Sequence, residues 1–194
     1  GAELTVISRS NKKEETAKRL KNAFNYIIAN NKTALESISK KAAEFGLRPI
    51  VASSAVTGDS SKTAKSIMQL LEENYSDYDV VILGGETLPA LPYNHGKGGR
   101  NQHFVLASLN FLKEKKDWLL AGIASDGVDY IEGIAGAIAD AETIKRCLDN
   151  DLDLVEYLQN YDSYSFFKKI GSGLIEMDET GTNVGDIVVF VNKK

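Results

Sequence analysis

At 194 residues the chain is long enough for one sizeable α/β domain, or one domain with an appendage. Hydrophobic residues make up 43% and charged ones 26%, which excludes a disordered, collagenous or coiled-coil polypeptide. A net charge of −4 without a long basic run speaks against a duplex nucleic-acid binder, and apolar runs such as Leu4–Ile7 and Val80–Leu83 fall far short of the ~20 residues that span a bilayer.

In chain order, Gly1-Ala2 reads as a cut or a tag remnant and predicts further sequence upstream. Residues 1–25 are expected to hold a strand at Leu4–Ile7 and a connecting helix over Asn11–Asn25, the end of an upstream domain; residues 26–194 form the main α/β domain. Within it, Tyr26–Ala29 reads as a strand, followed by a helix from about Lys32 to Phe45 that Gly46 stops. Arg48–Ala52 is the next strand, then a helix over Ser61–Asn74 and a strand at Asp79–Leu83 whose β-branched run fits burial on both faces. Leu88–Tyr93, broken by Pro89 and Pro92, is at best an edge strand. A helix over Asn101–Lys113 and a strand over Trp118–Ile123 follow. Ala137–Ile170 reads mainly as helices, and Gly173–Met177 and Asp186–Asn192 as two final strands that pair with one another. This alternation predicts a Rossmann-like, mostly parallel sheet with helices on both faces. The single Cys147 fits a reducing cytoplasm.

Ligands of open parallel sheets sit beyond the carboxyl ends of the strands, where helix N-termini attract anions. Gly84-Gly85-Glu86 falls there, directly after a strand, and serves either as a plain turn or as a close backbone approach with a carboxylate beside it. His95-Gly96-Lys97-Gly98-Gly99-Arg100-Asn101-Gln102 is the richest segment. Its glycines free the backbone for a concave amide nest and its cations suit phosphate, although it follows neither the P-loop nor the dinucleotide pattern. Asp126-Gly127-Val128-Asp129 offers carboxylates for Mg²⁺ or for a proton from a hydroxyl, or else an ordinary turn. Thr180–Asp186, with Thr182 and Asn183, suits sugar-acid or nucleotide hydrogen bonding and equally a hairpin. His103 reads as a cap or a solvent-facing side chain, His95 as an isolated imidazole, and Tyr161, Tyr164, Phe166 and Phe167 as core.

Taken in order, Gly84-Gly85-Glu86, Gly96–Gln102, Asp126–Asp129 with Ala135-Gly136-Ala137, Asp162-Ser163-Tyr164 with Phe166-Phe167, and Thr180–Val184 resemble the signature blocks of the MOFRL domain of glycerate 2-kinases, a family often labelled hydroxypyruvate reductase. Ile28–Asn31 and Ala34-Leu35 resemble the segment just before that domain. The resemblance implies the C-terminal part of an ATP- and Mg²⁺-dependent kinase acting on D-glycerate. A missing N-terminal α/β domain would supply the other half of the cleft. It further implies that Lys97 and Arg100 contact the glycerate carboxylate or the transferred phosphoryl, with Asp126 as a third catalytic group. Asn101 would orient substrate, and Gly84, Gly85, Glu86, Gly96, Gly98, Gly99, Asp129, Thr182 and Asn183 would bind substrate or nucleotide. Asp126 and Glu86 would hold the metal. Ser125, Tyr130–Gly133 and Asp178-Glu179 depart from the family pattern. NAD(P)H-dependent hydroxypyruvate reduction and a non-catalytic ligand-binding domain are the rival readings. Neither nucleic acid nor a membrane is an expected partner, and a homo-oligomer is open.

Overall fold

The computed structural model describes residues 22, 24, 26–113 and 115–192, so the strand and helix expected before residue 26 lie almost wholly outside the described residues. Tyr26–Ala29 is not a strand: it runs without regular structure into the first helix, with Tyr26, Ile27 and Ile28 exposed. Its β-branched side chains favour a strand only where a neighbouring strand is there to pair.

Helix α1 (Asn31–Glu44) starts where the Asn30 side chain accepts a hydrogen bond from the Thr33 amide at 2.9 Å and stops before Gly46, at φ 76°. Strand β1 (Pro49–Gly58) leads into α2 (Ser60–Asn74), capped by Asp59. Strand β2 (Val80–Thr87) is followed by a long loop, with no strand over Leu88–Tyr93, and then α3 (Arg100–Leu112). Strands β3 (Trp118–Ala124) and β4 (Ile134–Asp140) precede three short helices, α4 (Ala141–Asp149), α5 (Leu154–Gln159) and α6 (Ser163–Lys169). The chain closes with β5 (Leu174–Glu176) and β6 (Asp186–Asn192).

The strands form one mixed sheet in the order β1-β2-β6-β3-β4-β5. Only β1 and β2 pair in parallel, whereas β2–β6, β6–β3, β3–β4 and β4–β5 are antiparallel. The expected mostly parallel sheet is therefore corrected to a mixed one, for two reasons. The alanine-rich Ile134–Asp140, whose residues from Ala137 on are expected to be helical, is a strand that returns beside β3. The last strand does not pair with β5 but inserts between β2 and β3, and so converts what would be a parallel neighbour into two antiparallel ones.

Alternation along the central strands then fills both faces. Val80 and Ile82 of β2 pack with Leu35 and Ala42 of α1 on one side. On the other, Val81, Leu83, Val188 and Phe190 meet α2 and α3 in the larger cluster, which also holds Trp118, Phe166 and Phe167. Each fully buried aliphatic or aromatic side chain there contributes roughly 1.5–3 kcal/mol. Helix α3 lies deepest: every residue from Asn101 to Leu109 is buried, as it must be when a helix runs between the sheet, α2 and the α5–α6 pair. Among the described residues no helix is long and apolar enough to cross a membrane.

Candidate active site at the sheet edge

Because β6 runs against β2 and β3, its first residue, Asp186, sits near their carboxyl ends, in register with Gly85 on one side and Ala124 on the other. The loops after β2 and β3 and the loop before β6 thus converge on one edge of the sheet. Helix α3 aims its N-terminus there, so its positive dipole end faces the same place.

Arg100, the first residue of α3, is the centre of this edge. Its Nε and Nη2 donate to the two carboxylate oxygens of Asp186 at 2.6 and 2.8 Å, a fork geometry that fixes the guanidinium plane. Nη1 is left facing Glu86, 3.7 Å from its Oε1. Asp186 is buried and Arg100 keeps a quarter of its side chain exposed. The bond to Asp186 raises the arginine above its ordinary value against the opposing effect of burial, with Glu86 and Asp129 adding to the rise. Asp186 closes the candidate segment Thr180–Asp186, but the sequence assigns it no role of its own. The signal for it was an acid opening an otherwise apolar strand, Asp186-Ile187-Val188-Val189-Phe190.

The glycine-rich turn spends part of its backbone on packing. The Gly96 amide donates to Asn160 O at 2.7 Å and the Lys97 amide to Asp162 Oδ1 at 2.8 Å. Any β-carbon on Gly96 or Gly98 would collide with Asp162 or Ser163 at the start of α6. These glycines let α6 pack against the turn. The amides of Gly98, Gly99 and Arg100 donate to no protein group among the described residues, so the unpaired stretch of the turn lies next to the helix. Lys97 is exposed and borders a separate hollow with His95, Tyr130, Ile131 and Tyr164. Its ammonium pairs with no described residue.

Asp129 departs furthest from expectation. Instead of facing a ligand it is wholly buried and serves as the cap that Gly99, lacking a side chain, cannot provide. Its Oδ1 accepts from the Asn101 amide at 3.0 Å and from Asn101 Nδ2 at 3.3 Å, its Oδ2 from the Gln102 amide at 2.9 Å and from Gln102 Nε2 at 3.2 Å. Burial pushes its carboxyl up, and the bonds with Gln102 and Asn101 pull it back. Asn101, expected to orient substrate, is buried with its amide donor committed to Asp129.

Asp126 and Asn183 do meet: Asn183 Nδ2 donates to Asp126 Oδ2 at 2.9 Å, while Asp126 Oδ1 accepts from the Val128 amide at 3.1 Å. Thr180 Oγ1 lies 2.7 Å from Ser125 O and 3.0 Å from Thr182 O, and Ser125 Oγ accepts from the Val184 amide at 2.9 Å. Thr182 is exposed. The departures at Ser125 and Asp178 are accommodated by these bonds and by Gly127, which has no room for a β-carbon against the Asp178 backbone. Gly84 and Gly85 lie inside β2, not in a turn after it. Beside them, Glu86, Thr87, Asn101 and Asp186 line a recess of about 10 Å³, room for about one water. No group of three or more His, Cys, Asp or Glu among the described residues could hold a metal unaided.

The MOFRL family model matches residues 79–186, which takes in β2 through the first residue of β6. The chain belongs to the MOFRL family. Relatives of this MOFRL protein include a glycerate 2-kinase of Pyrococcus horikoshii, 31% identical over 92% of this chain and 42% of its own. A crystal structure of a glycerate kinase from Thermotoga maritima superposes with a TM-score of 0.82 at 29% identity, covering 92% of this chain and 44% of that one. A protein of Agrobacterium vitis, provisionally labelled a hydroxypyruvate reductase, is 32% identical over 83% of this chain and 38% of its own. The chain spans less than half the length of each of these relatives.

Proposed function

We propose that this MOFRL chain is the C-terminal part of an ATP-dependent glycerate kinase that transfers the γ-phosphoryl group to the 2-hydroxyl of D-glycerate, giving 2-phosphoglycerate. The observation that carries the reading is the Arg100 guanidinium, held on two nitrogens by Asp186 with its third facing the exposed Glu86, beside the unpaired amides of Gly98, Gly99 and Arg100. Phosphoryl transfer demands positioning and neutralisation of charge on the equatorial oxygens, and a cation fixed in this way needs no reorganisation to supply it.

In this reading Arg100 and the helix amides bind the transferred group or the substrate carboxylate, and Lys97 adds a mobile positive charge at the rim. Asp126, held by Asn183, is within the loop cluster to accept a hydroxyl proton. The donor set also fits magnesium: Glu86 is exposed, and Mg²⁺ ordinarily needs one or two protein carboxylates and takes its other ligands from phosphate oxygens and water. When bound, the ion would neutralise charge on the phosphates. The remaining half of the site belongs to an N-terminal α/β domain facing this edge, a reading supported by the relatives' greater length.

In the full-length protein, Arg100→Ala is expected to lower ATP-dependent phosphorylation of D-glycerate by about 10²–10³-fold, measured by coupled ADP release. Wild-type turnover in that variant refutes the assignment. The label on the Agrobacterium relative motivates a parallel assay with hydroxypyruvate and NAD(P)H, in which no loss of near-ultraviolet cofactor absorbance is expected.

A further inference from the structure

The segment leading into α1 contributes to the site through Asn31, a residue outside the stretch matched by the family model. Asn31 is the first residue of α1, where Asn30 already supplies the cap, so helix initiation gives no reason for a second asparagine. Its side chain instead reaches across to the start of β6. Nδ2 donates to Val184 O and to Asp186 O, both at 2.9 Å, and so clamps the backbone on either side of Gly185, which holds a left-handed φ of 86°.

Two further features show that the surroundings are shaped to this amide. A β-carbon on Gly84 would fall on Asn31 Oδ1, and one on Gly185 would come 3.2 Å from Asn31 Nδ2. Asn31 Oδ1 is buried with no hydrogen-bond partner among the described residues. An unmet buried acceptor is unfavourable by about 1–3 kcal/mol, so a residue chosen for stability alone would not present one. The two Nδ2 bonds run only to carbonyl oxygens, which can accept and not donate, so the amide's orientation is fixed.

We propose that Asn31 is a positioning residue for phosphoryl transfer: it fixes the start of β6 and thereby the Asp186 carboxylate that orients the Arg100 guanidinium. This rests on the reading of Arg100 as the anion-binding group. The geometry makes the chain of action explicit, from the α1 amide to the Asp186 backbone, from the Asp186 side chain to Arg100, and from Arg100 to the substrate anion. It also ties the element that enters from the amino-terminal side to the centre of the site, over a separation of 155 residues.

Asn31→Asp tests it, since the change keeps size, replaces the donor with an acceptor facing two carbonyls, and leaves a carboxylate at a helix start, where it is tolerated. Asn31→Ser is the second variant should the first not fold. In full-length protein, kcat for glycerate is expected to fall by about 100-fold with KM little changed. That loss should largely vanish in an Arg100→Lys background, where the fork no longer exists to be misplaced. Independently of turnover, the nitrogen–proton NMR signal of Arg100 Nε, shifted by its bond to Asp186 in the wild type, should move toward that of a solvated arginine in Asn31→Asp, with Asp186→Asn as the control. Wild-type kcat, a loss of equal size in both backgrounds, or an unmoved Nε signal overturns the proposal. If the wild type phosphorylates no glycerate, the kinase reading fails, and the Nε signal alone decides whether Asn31 governs Arg100.

Discussion

His103 carries a pH dependence that its sequence context conceals. Expected to cap the helix or face solvent, it is 3% exposed, stacked on Tyr161 with ring centroids 4.6 Å apart, and 2.7 Å from Ser61 Oγ through Nε2. Its Nδ1 has no partner among the described residues. Burial pushes the imidazole down to about 4, against a weak opposing pull from Asp59. The folded protein therefore keeps His103 neutral, while the unfolded chain begins to bind a proton below its ordinary value of about 6.5. Stability from this source is complete above pH ~6.5 and is lost as pH falls toward ~4, by roughly 3 kcal/mol. His103→Phe keeps the stacking and removes the titration. The difference in unfolding free energy between wild type and variant, from urea denaturation at pH 7 and pH 4.5, should shrink at the lower pH; an unchanged difference means that His103 is not the group responsible.

At the scale of elements, the N-terminus of α3 depends on a residue thirty positions away in the chain. Gly99 caps this helix with backbone alone, and its missing side chain makes the space that the Asp129 carboxylate occupies. Removing that carboxylate strands the Asn101 and Gln102 donors in the interior, so Asp129→Ala should lower the unfolding free energy by about 3 kcal/mol. Gly99→Ala should be destabilising to a similar degree although φ there is an ordinary −108°, because the clash and not the dihedral is the obstacle. Thermal unfolding of both variants checks this, and a Gly99→Ala midpoint equal to wild type would contradict the packing argument. The glycines of this turn show where sequence reading reaches its limit. Their density drew attention to the segment, but composition cannot distinguish a glycine that exposes an amide from one that admits a neighbour: Gly96 is of the second kind, and Gly98 and Gly99 admit a neighbour while leaving their amides unpaired among the described residues. Local signals did specify the end of α1, through Gly46, and β2, through Val80–Leu83, because those are decided within a few residues. Strand β4 was missed for the complementary reason. Ala135, Ala137 and Ala139 prefer a helix in isolation, and only pairing with β3 on one side and β5 on the other makes them a strand.

For the molecule as a whole, the placement of β6 decides both the sheet and the site. Its partners, β2 and β3, lie earlier in the chain, and nothing in their local sequence announces that the space between them is reserved for residues 186–192. Without that strand the two halves of the sheet, β1-β2 and β3-β4-β5, share no backbone hydrogen bonds. Val188 and Phe190 would leave the larger core and Val189 and Val191 the smaller one. The same strand begins with Asp186, so the element that closes the sheet also carries the anchor of Arg100. Because its pairings span roughly the full MOFRL region, they form late, after a loop-closure cost that only the completed sheet offsets. Removing residues 186–194 should consequently abolish the cooperative unfolding transition of this domain. By contrast Ile175→Ala on the three-residue edge strand β5, a partly buried position, should lower the midpoint and leave the transition cooperative. Calorimetry and far-ultraviolet circular dichroism of the two variants distinguish these cases. A truncated protein that still melts sharply, with its sheet signal retained, would mean that β2 and β3 can close on each other directly and that β6 is an addition to the fold, not its keystone.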